Sequence, residues 1–190
     1  MKVFAISDLH LSLGRPKPMD VFGQAWMRHS EKIRTHWQAR VSDSDLVLVA
    51  GDISWAMTFE EAQPDLGFMA DLPGRKVVVK GNHDFWWPSI TKLRKDGPSS
   101  VHFIQNDVLE LGDLVISGTR LWEYPFVQWN GCVVVVPNPV PARSPVREVN
   151  DEKVGQRELE RLRLCLRQMP KSHGSLRIFL THCPFVSAVQ

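Results

Sequence analysis

The chain has 190 residues and a formal net charge of +2, with 43% hydrophobic and 23% charged residues. This length and composition predict one folded domain with a hydrophobic core and exclude intrinsic disorder. The small net charge, without a long Lys/Arg run, excludes a dedicated nucleic-acid-binding protein and favours a small molecule over nucleic acid as the partner.

The start of the sequence and its cysteines indicate the compartment. The N-terminus leads directly into an apolar strand, and no stretch is apolar for long enough to span a bilayer. Cys132, Cys165 and Cys183 are odd in number and widely spaced, which argues against a disulfide framework and against a CxxC zinc site. We therefore expect a cytoplasmic protein that makes no membrane contact.

The first predicted strand, Lys2–Ser7, leads into Asp8 and His10. In extended backbone these two side chains face the same way, so that one metal ion can bind both. Taken alone, the pair is more typical of an Asp that caps a turn beside an exposed His. A helix is predicted next, from about Met19 to Arg40, because apolar residues recur there at helical spacing.

Two further apolar strands end in polar residues of the kinds that bind metals or move protons. The strand Leu46–Ala50 leads into Gly51-Asp52, and Lys76–Lys80 leads into Gly81-Asn82-His83-Asp84. Between them we predict a helix within Trp55–Leu72, either broken at Pro64 or starting late. The pattern is βαβαβ, whose right-handed crossovers place the strand ends side by side.

An aromatic cluster, Phe85-Trp86-Trp87-Pro88, follows the third strand. Trp86 is interpreted either as a platform that stacks on substrate or as packing beneath the next helix, predicted from Pro88 to Lys95. Three short strands within residues 101–117 are then separated by Asn-Asp and Gly-Asp turn signals, which predicts a meander that begins a second sheet layer. Arg120 follows it, either as a phosphate ligand or as an ordinary surface arginine.

The last third of the chain contains a proline-rich insertion, a helix and a strand. The insertion runs from Glu123 to Asn150 within the single predicted domain, and the charged helix from Asp151 to about Met169. The strand Leu176–Leu180 then ends in Thr181-His182. Because ligands bind at the carboxyl ends of strands in an open α/β sheet, four strands that end in ligand-type residues predict one shared site.

Asp-x-His, Gly-Asp, Gly-Asn-His-Asp and a late strand-end His, in this order, resemble the motifs of the calcineurin-like metallophosphoesterase family. The resemblance implies a four-layer α-β-β-α sandwich. It also implies a hydrolase of phosphomonoesters or phosphodiesters that uses hydroxide activated by two metal ions. Imidazole, carboxylate and amide-oxygen ligands without thiolate suit Mn, Fe or Zn.

The same resemblance implies a role for each motif residue. Asp8 and His10 hold the first metal, and Asp52 bridges both metals. Asn82 and His182 hold the second metal. His83 faces the substrate phosphate and assists the leaving oxygen, and Asp84 orients His83.

The sequence departs from the family pattern at its C-terminal end. Family members usually carry a Gly-His-x-His motif after the residue that corresponds to His182, and this sequence has none. We expect either a chain that is incomplete at its C-terminus or a metal site completed by water, another residue or a partner. The departure also leaves an alternative function, a catalytically impaired or inactive binding or regulatory module that retains the fold.

Overall fold

The computed structural model describes residues 1–122, 145–170 and 176–184, and for residues 145–151 it describes the backbone alone. The insertion predicted at 123–150 therefore lies mostly outside the described residues. The elements in chain order are β1 (Val3–Ile6), α1 (His29–Gln38), β2 (Leu46–Val49), α2 (Phe59–Ala70), β3 (Arg75–Val78), α3 (Ile90–Asp96), β4 (Val101–Phe103), β5 (Val108–Leu111), β6 (Leu114–Thr119), α4 (Pro145–Gln168) and β7 (Leu176–Thr181).

The first sheet is parallel, with strand order β1-β2-β3-β4. Ile6 is in register with Val49, which is in register with Val78, so the three strands end at one edge. β4 pairs with β3 and not with β5, so its placement in the predicted second-layer meander is wrong. The physical reason is that α3 provides a crossover long enough to return the chain to the first sheet in parallel.

The second sheet contains β5, β6 and β7. β5 and β6 form an antiparallel hairpin, and β7 pairs in parallel with β6. Gly112 has φ +58° in the hairpin turn, a backbone conformation that glycine adopts at low cost. The strand that leads to His182 therefore belongs to this second sheet, and not to one open sheet with β1, β2 and β3 as the strand-end argument expected.

Alternating residues in β3 and directly after it connect three layers of the core. Val78 packs into the cluster beneath α1, α2 and α3, whereas Val77 and Val79 face the second sheet together with Ile116 and Leu180. The outer face of the second sheet is covered by α4, whose Leu162 is buried near Leu121 and Cys183. The order of layers is helix, sheet, sheet, helix, which confirms the predicted four-layer α-β-β-α sandwich.

Three predicted helices have different bounds in the structure. The helix expected from Met19 is replaced by two 3-10 turns, Asp20–Phe22 and Gln24–Trp26, and α1 begins after Arg28, whose φ is +52°. α2 starts late, capped by the Thr58 hydroxyl, and continues through Pro64 without a break. α4 begins six residues before Asp151, at Pro145, because proline is favourable in the first turn of a helix.

Candidate metal centre

Hydrogen bonds between the ends of β1 and β2 continue into the loops that follow them. The backbone N–H groups of Asp8, His10 and Leu11 donate to the carbonyls of Gly51, Asp52 and Ile53, at 3.1, 2.9 and 2.8 Å. Asp8, His10 and Asp52 have φ values of +57°, +44° and +54°. Non-glycine residues adopt this left-handed region at a cost of roughly 1–2 kcal/mol each. The surrounding contacts therefore hold these three candidate ligands in conformations that the isolated chain disfavours.

Two glycines allow the loop after β2 and the loop after β3 to approach each other. A Cβ atom at Gly81 would lie 2.1 Å from Oδ1 of Asp52, and one at Gly51 would lie 2.6 Å from the Gly81 backbone. Gly51 also has φ +86°, which side chains disfavour. Any larger residue at these positions would separate Asp52 from the loop that carries Asn82 and His83.

The Asp84 carboxylate is fully buried and joins the loop after β2 to the loop after β3. Its donors are the backbone N–H groups of Asp52 (2.9 Å), Ile53 (2.9 Å), Ser54 (3.4 Å) and Gly81 (2.8 Å) and the Nε1–H of Trp86 (2.9 Å). Burial raises the pKa of the Asp84 carboxyl, and the hydrogen bonds from Gly81 and Ile53 oppose that rise. Its observed contacts are with the loop backbone and the Trp86 indole, whereas the predicted role is to orient His83.

The carboxylate that contacts the His83 ring is Asp52. Nδ1 of His83 lies 2.7 Å from Oδ2 of Asp52, and the His83 backbone N–H donates to Oδ1 at 2.8 Å. The Asp52 side chain is only 2% exposed, whereas the His83 side chain is 40% exposed. Asp52 therefore lies at the floor of the site and His83 at its mouth.

Five of the predicted residues form two groups that share one carboxylate. Possible ligand atoms of His10, Asp52 and His83 lie within 4.8 Å of one another, and so do those of Asp8, Asp52 and His182. Nε2 of His10 lies 3.7 Å from Oδ2 of Asp52, whereas Nε2 of His182 lies 3.7 Å from Oδ1. Each oxygen of Asp52 thus faces a different group.

Asn82 joins the group of Asp8, Asp52 and His182, and Asp8 also contacts His10 of the other group. The Oδ1 atom of Asn82 lies 2.5 Å from Nε2 of His182, and Oδ1 of Asp8 lies 3.4 Å from Nε2 of His10. The hydrogen bond with His10 lowers the pKa of the Asp8 carboxyl, while burial opposes this change. The structure therefore brings together Asp8, His10, Asp52, Asn82, His83 and His182.

The chemistry of these donors fits divalent cations. Two carboxylates, three imidazoles and an amide oxygen face a common space, and Asp52 is buried, where an uncompensated charge is costly. The buried Nδ1 atom of His10 has no hydrogen-bond partner in the described part of the chain. Cys183 packs beside Leu121 and Leu162 in the core, which leaves a donor set of oxygen and nitrogen atoms that suits Mn, Fe or Zn.

Two predicted substrate contacts lie away from these groups. Trp86 is 2% exposed, packs against Phe59 of α2 and donates to Asp84, so its ring is part of the core. The Arg120 guanidinium lies 3.5 Å from Glu158 and stacks over Trp122 at 4.7 Å. It therefore contacts neither group of candidate ligands in this structure.

Sequence reasoning missed two residues that support the site. Trp55 stacks on the His10 ring, with ring centroids 4.7 Å apart and planes inclined by 17°. Asp65, fully buried on α2, accepts hydrogen bonds from the backbone N–H of Leu13 at 2.8 Å and from the Ser54 hydroxyl. The signal for Asp65 was its helical spacing with the inward-facing Ala62 and Met69, which places a carboxylate on a buried face.

A helix-sheet-sheet-helix sandwich whose strand ends gather carboxylates and imidazoles defines a candidate metal-binding domain. The chain belongs to the calcineurin-like phosphoesterase family, whose model matches residues 1–189. Within the described residues, no helix has the length and apolar character needed to cross a membrane.

Individual relatives match shorter stretches. The chain is 37% identical over 83 residues to the Gene 66 protein of Mycobacterium phage D29 and 33% identical over 78 residues to that of phage L5. These matches cover 43% and 41% of this chain and 40% and 37% of the phage proteins. The solved structure of a protein of unknown function, AQ665 from Aquifex aeolicus, is 18% identical with a TM-score of 0.40, over 83% of this chain and 73% of that one.

Proposed function

We propose that the protein hydrolyses phosphoesters at a centre for two divalent metal ions. The observation that carries this proposal is the position of Asp52, whose Oδ2 atom lies 3.7 Å from Nε2 of His10 and whose Oδ1 atom lies 3.7 Å from Nε2 of His182. A shared carboxylate is a suitable bridge between two cations, because it places negative charge between them at short range. The family to which the chain belongs supports the same chemistry.

The residues proposed to hold the ions are Asp8, His10, Asp52, Asn82 and His182. When bound, Mn, Fe or Zn ions lower the pKa of water and polarise the phosphoryl oxygens, which supplies the nucleophile and neutralises developing charge. The buried Asp52 and Asp84 fix the loops around this point before substrate arrives. Preorganised groups of this kind contribute more to catalysis than groups that must reorganise during the reaction.

We propose that His83 is the general acid for the leaving oxygen. Its Nδ1 atom lies 2.7 Å from Asp52, which fixes the orientation of the ring, and its side chain is the more exposed partner of the pair. With Nδ1 donating to the carboxylate, Nε2 is the atom left for proton transfer to substrate. Trp55 packs against the His83 ring at a centroid distance of 5.0 Å and further limits its rotation.

The proposed substrate class follows from the net charge of the chain. A formal net charge of +2 provides little general attraction for a polyanion, so we propose a small phosphoester as the substrate. Turnover that falls steeply with added salt, together with binding of DNA or RNA, would indicate a nuclease instead. A weak dependence on salt is the expected result.

The test uses chelated protein that is reloaded with Mn, Fe or Zn. Turnover of 4-nitrophenyl phosphate and bis(4-nitrophenyl) phosphate separates monoesterase from diesterase activity, and metal content is measured on the same samples. Asp52→Asn is compared with Asp113→Asn, which changes an exposed aspartate in the β5–β6 turn. We expect activity that disappears on chelation, returns with metal and survives in the Asp113 variant. Fewer than one tightly bound ion per chain and no turnover would favour the binding-module alternative.

A further inference from the structure

A second charged pocket lies beside the candidate metal centre. It is a cavity of about 130 Å³, well above the roughly 10–15 Å³ that one water molecule requires. Its lining includes the polar residues Lys80, Gln105, Asn106, Arg120, Glu158 and Arg161.

The chain connects this pocket to the metal centre at two points. Lys80 precedes the candidate ligand Asn82 by two residues, a separation of at most about 7 Å along the backbone. On the other side, the carbonyl of Arg120 accepts a hydrogen bond from the N–H of Cys183 at 2.9 Å, and Cys183 follows the candidate ligand His182. The backbone therefore places the pocket next to the candidate metal centre.

The pocket carries a net positive charge. Lys80, Arg120 and Arg161 contribute three positive charges, and Glu158 contributes one negative charge, which leaves +2. Glu158 is 2% exposed, and its Oε1 atom lies 2.5 Å from Arg161 and 3.5 Å from Arg120. This buried carboxylate holds both guanidinium groups at the wall of the cavity while neutralising only one of the three cations.

The uncharged side chains of the pocket leave hydrogen-bond donors available. The Asn106 amide oxygen accepts from the Thr119 hydroxyl at 2.8 Å, and the Gln105 amide oxygen accepts from the Trp87 indole at 2.8 Å. With both oxygens engaged, the amide NH₂ groups remain as donors. The Nε–H of Arg120 is buried and has no acceptor within the described ranges. Excess positive charge and unsatisfied donors are the features that an oxoanion requires.

We propose that this pocket binds a phosphate group. Guanidinium groups match the geometry of phosphate oxygens, and the ammonium of Lys80 adds a point charge. The phosphate is either a second phosphoryl group of the substrate, an assignment that rests on the proposed hydrolase function, or a free phosphate ion. In the first case the pocket selects substrates that carry two phosphate groups.

The first experiment uses the full chain without metal, so that its result does not depend on hydrolysis. Melting temperatures are measured in chelator with and without inorganic phosphate, at an ionic strength matched with NaCl. Lys80→Met and Arg161→Met remove positive charges of the pocket. Arg163→Met is the matched control, because Arg163 lies on the same helix but is 59% exposed and pairs with Glu160.

At a phosphate concentration ten times the dissociation constant, we expect the melting temperature of the unaltered chain to rise by about 3 to 6 °C. The Arg163 variant should show the same rise, and the two pocket variants should lose most of it. Melting curves without phosphate establish that each variant is folded. No rise in the unaltered chain, or an equal rise in all four proteins, would overturn the proposal.

The second experiment identifies the source of the phosphate group. The value of kcat/KM is measured with metal-loaded protein for a sugar bisphosphate and for the matching sugar monophosphate. A preference of about 10- to 100-fold for the bisphosphate, reduced in Lys80→Met, assigns the pocket to the substrate. Equal values, together with the phosphate-dependent rise in melting temperature, assign it to free phosphate. No turnover of either sugar phosphate would count against the hydrolase, while the melting experiment would still decide the pocket.

Discussion

Asp84→Asn should be the most informative substitution near the metal centre, because it preserves shape while changing the hydrogen-bonding pattern. The Oδ1 atom of Asp84 accepts from Ile53, Ser54 and Trp86, and Oδ2 accepts from Asp52 and Gly81. An asparagine that keeps its oxygen at the first position directs its NH₂ group toward the other two N–H donors. Two buried backbone donors are then left without an acceptor.

The expected destabilisation follows from those two donors. An unsatisfied buried N–H costs roughly 1–3 kcal/mol, so two of them reduce the free energy of unfolding by about 4 kcal/mol. For a chain of this length the melting temperature should fall by about 8 to 16 °C. Because Gly81 and Asp52 would separate, the affinity for metal should fall as well.

Urea denaturation measured in chelator gives the change in unfolding free energy without a contribution from metal binding. Metal titration of the folded variant gives the second quantity, and Asp113→Asn provides the exposed control for both. A loss of less than about 1 kcal/mol, with unchanged metal affinity, would show that the Asp84 carboxylate does not hold the two loops together.

Three further predictions test separate parts of the structure. Asp52→Ala should remove both metal ions together, because each oxygen faces a different ligand group, and elemental analysis that shows one retained ion would contradict the bridging role. His83→Ala should lower turnover by roughly 10² to 10⁴ with the fold and metal content retained. The loss should be smallest for nitrophenolate leaving groups, and an equal loss for all leaving groups would exclude the general-acid role. Hydrogen bonds from Lys2 and Ser42 lower the pKa of Asp45 from 3.8 to about 2. Because this pKa is lower in the folded state, the stabilisation is present above pH 3.8 and is lost as the pH falls through 2. The difference in unfolding free energy between the unaltered chain and Asp45→Asn should therefore narrow between pH 4 and pH 2, and a constant difference would contradict this assignment.

The convergence of the motifs could be predicted because it depends on strand order and register. Apolar runs identified β1, β2 and β3, and parallel pairing requires that their carboxyl ends meet at one edge. Ligand-type residues placed directly after such strands must then lie near one another. The arrival of His182 from the second sheet required the family resemblance, since the strand-end argument alone expected a single sheet.

The details that sequence reasoning missed arise from tertiary contacts. The pattern from Met19 to Arg40 has helical spacing throughout, but Gly23 and Arg28 have φ values of +112° and +52°, which interrupt the helix. Hydrophobic periodicity records which residues face the core and carries little information about such local breaks. The sequence also predicts the wrong sheet for β4, because a short strand has a similar hydrophobic pattern in either sheet.

The hydrogen-bond partners of Asp84 likewise could not be predicted from the sequence. A motif indicates that a carboxylate is required near His83, but it does not indicate which atoms that carboxylate contacts. In the structure the His83 ring contacts Asp52, whereas Asp84 accepts hydrogen bonds from backbone N–H groups of the loops after β2 and β3. Asp84 accepts N–H bonds from its own loop and from the loop after β2, and these partners become visible only after the loops are placed.

The metal centre therefore depends on two buried carboxylates that belong to neither ligand group. Asp84 joins the loops after β2 and β3, and Asp65 joins the loops after β1 and β2 through Leu13 and Ser54. Three candidate ligands with positive φ together cost roughly 3–6 kcal/mol, and hydrogen bonds to charged groups contribute roughly 1.5–3 kcal/mol each. The bonds accepted by these two carboxylates oppose that cost, while burial raises the pKa of both carboxyls. It follows that the loops are held in place by the folded chain itself, so that the ligand groups face each other before any cation binds.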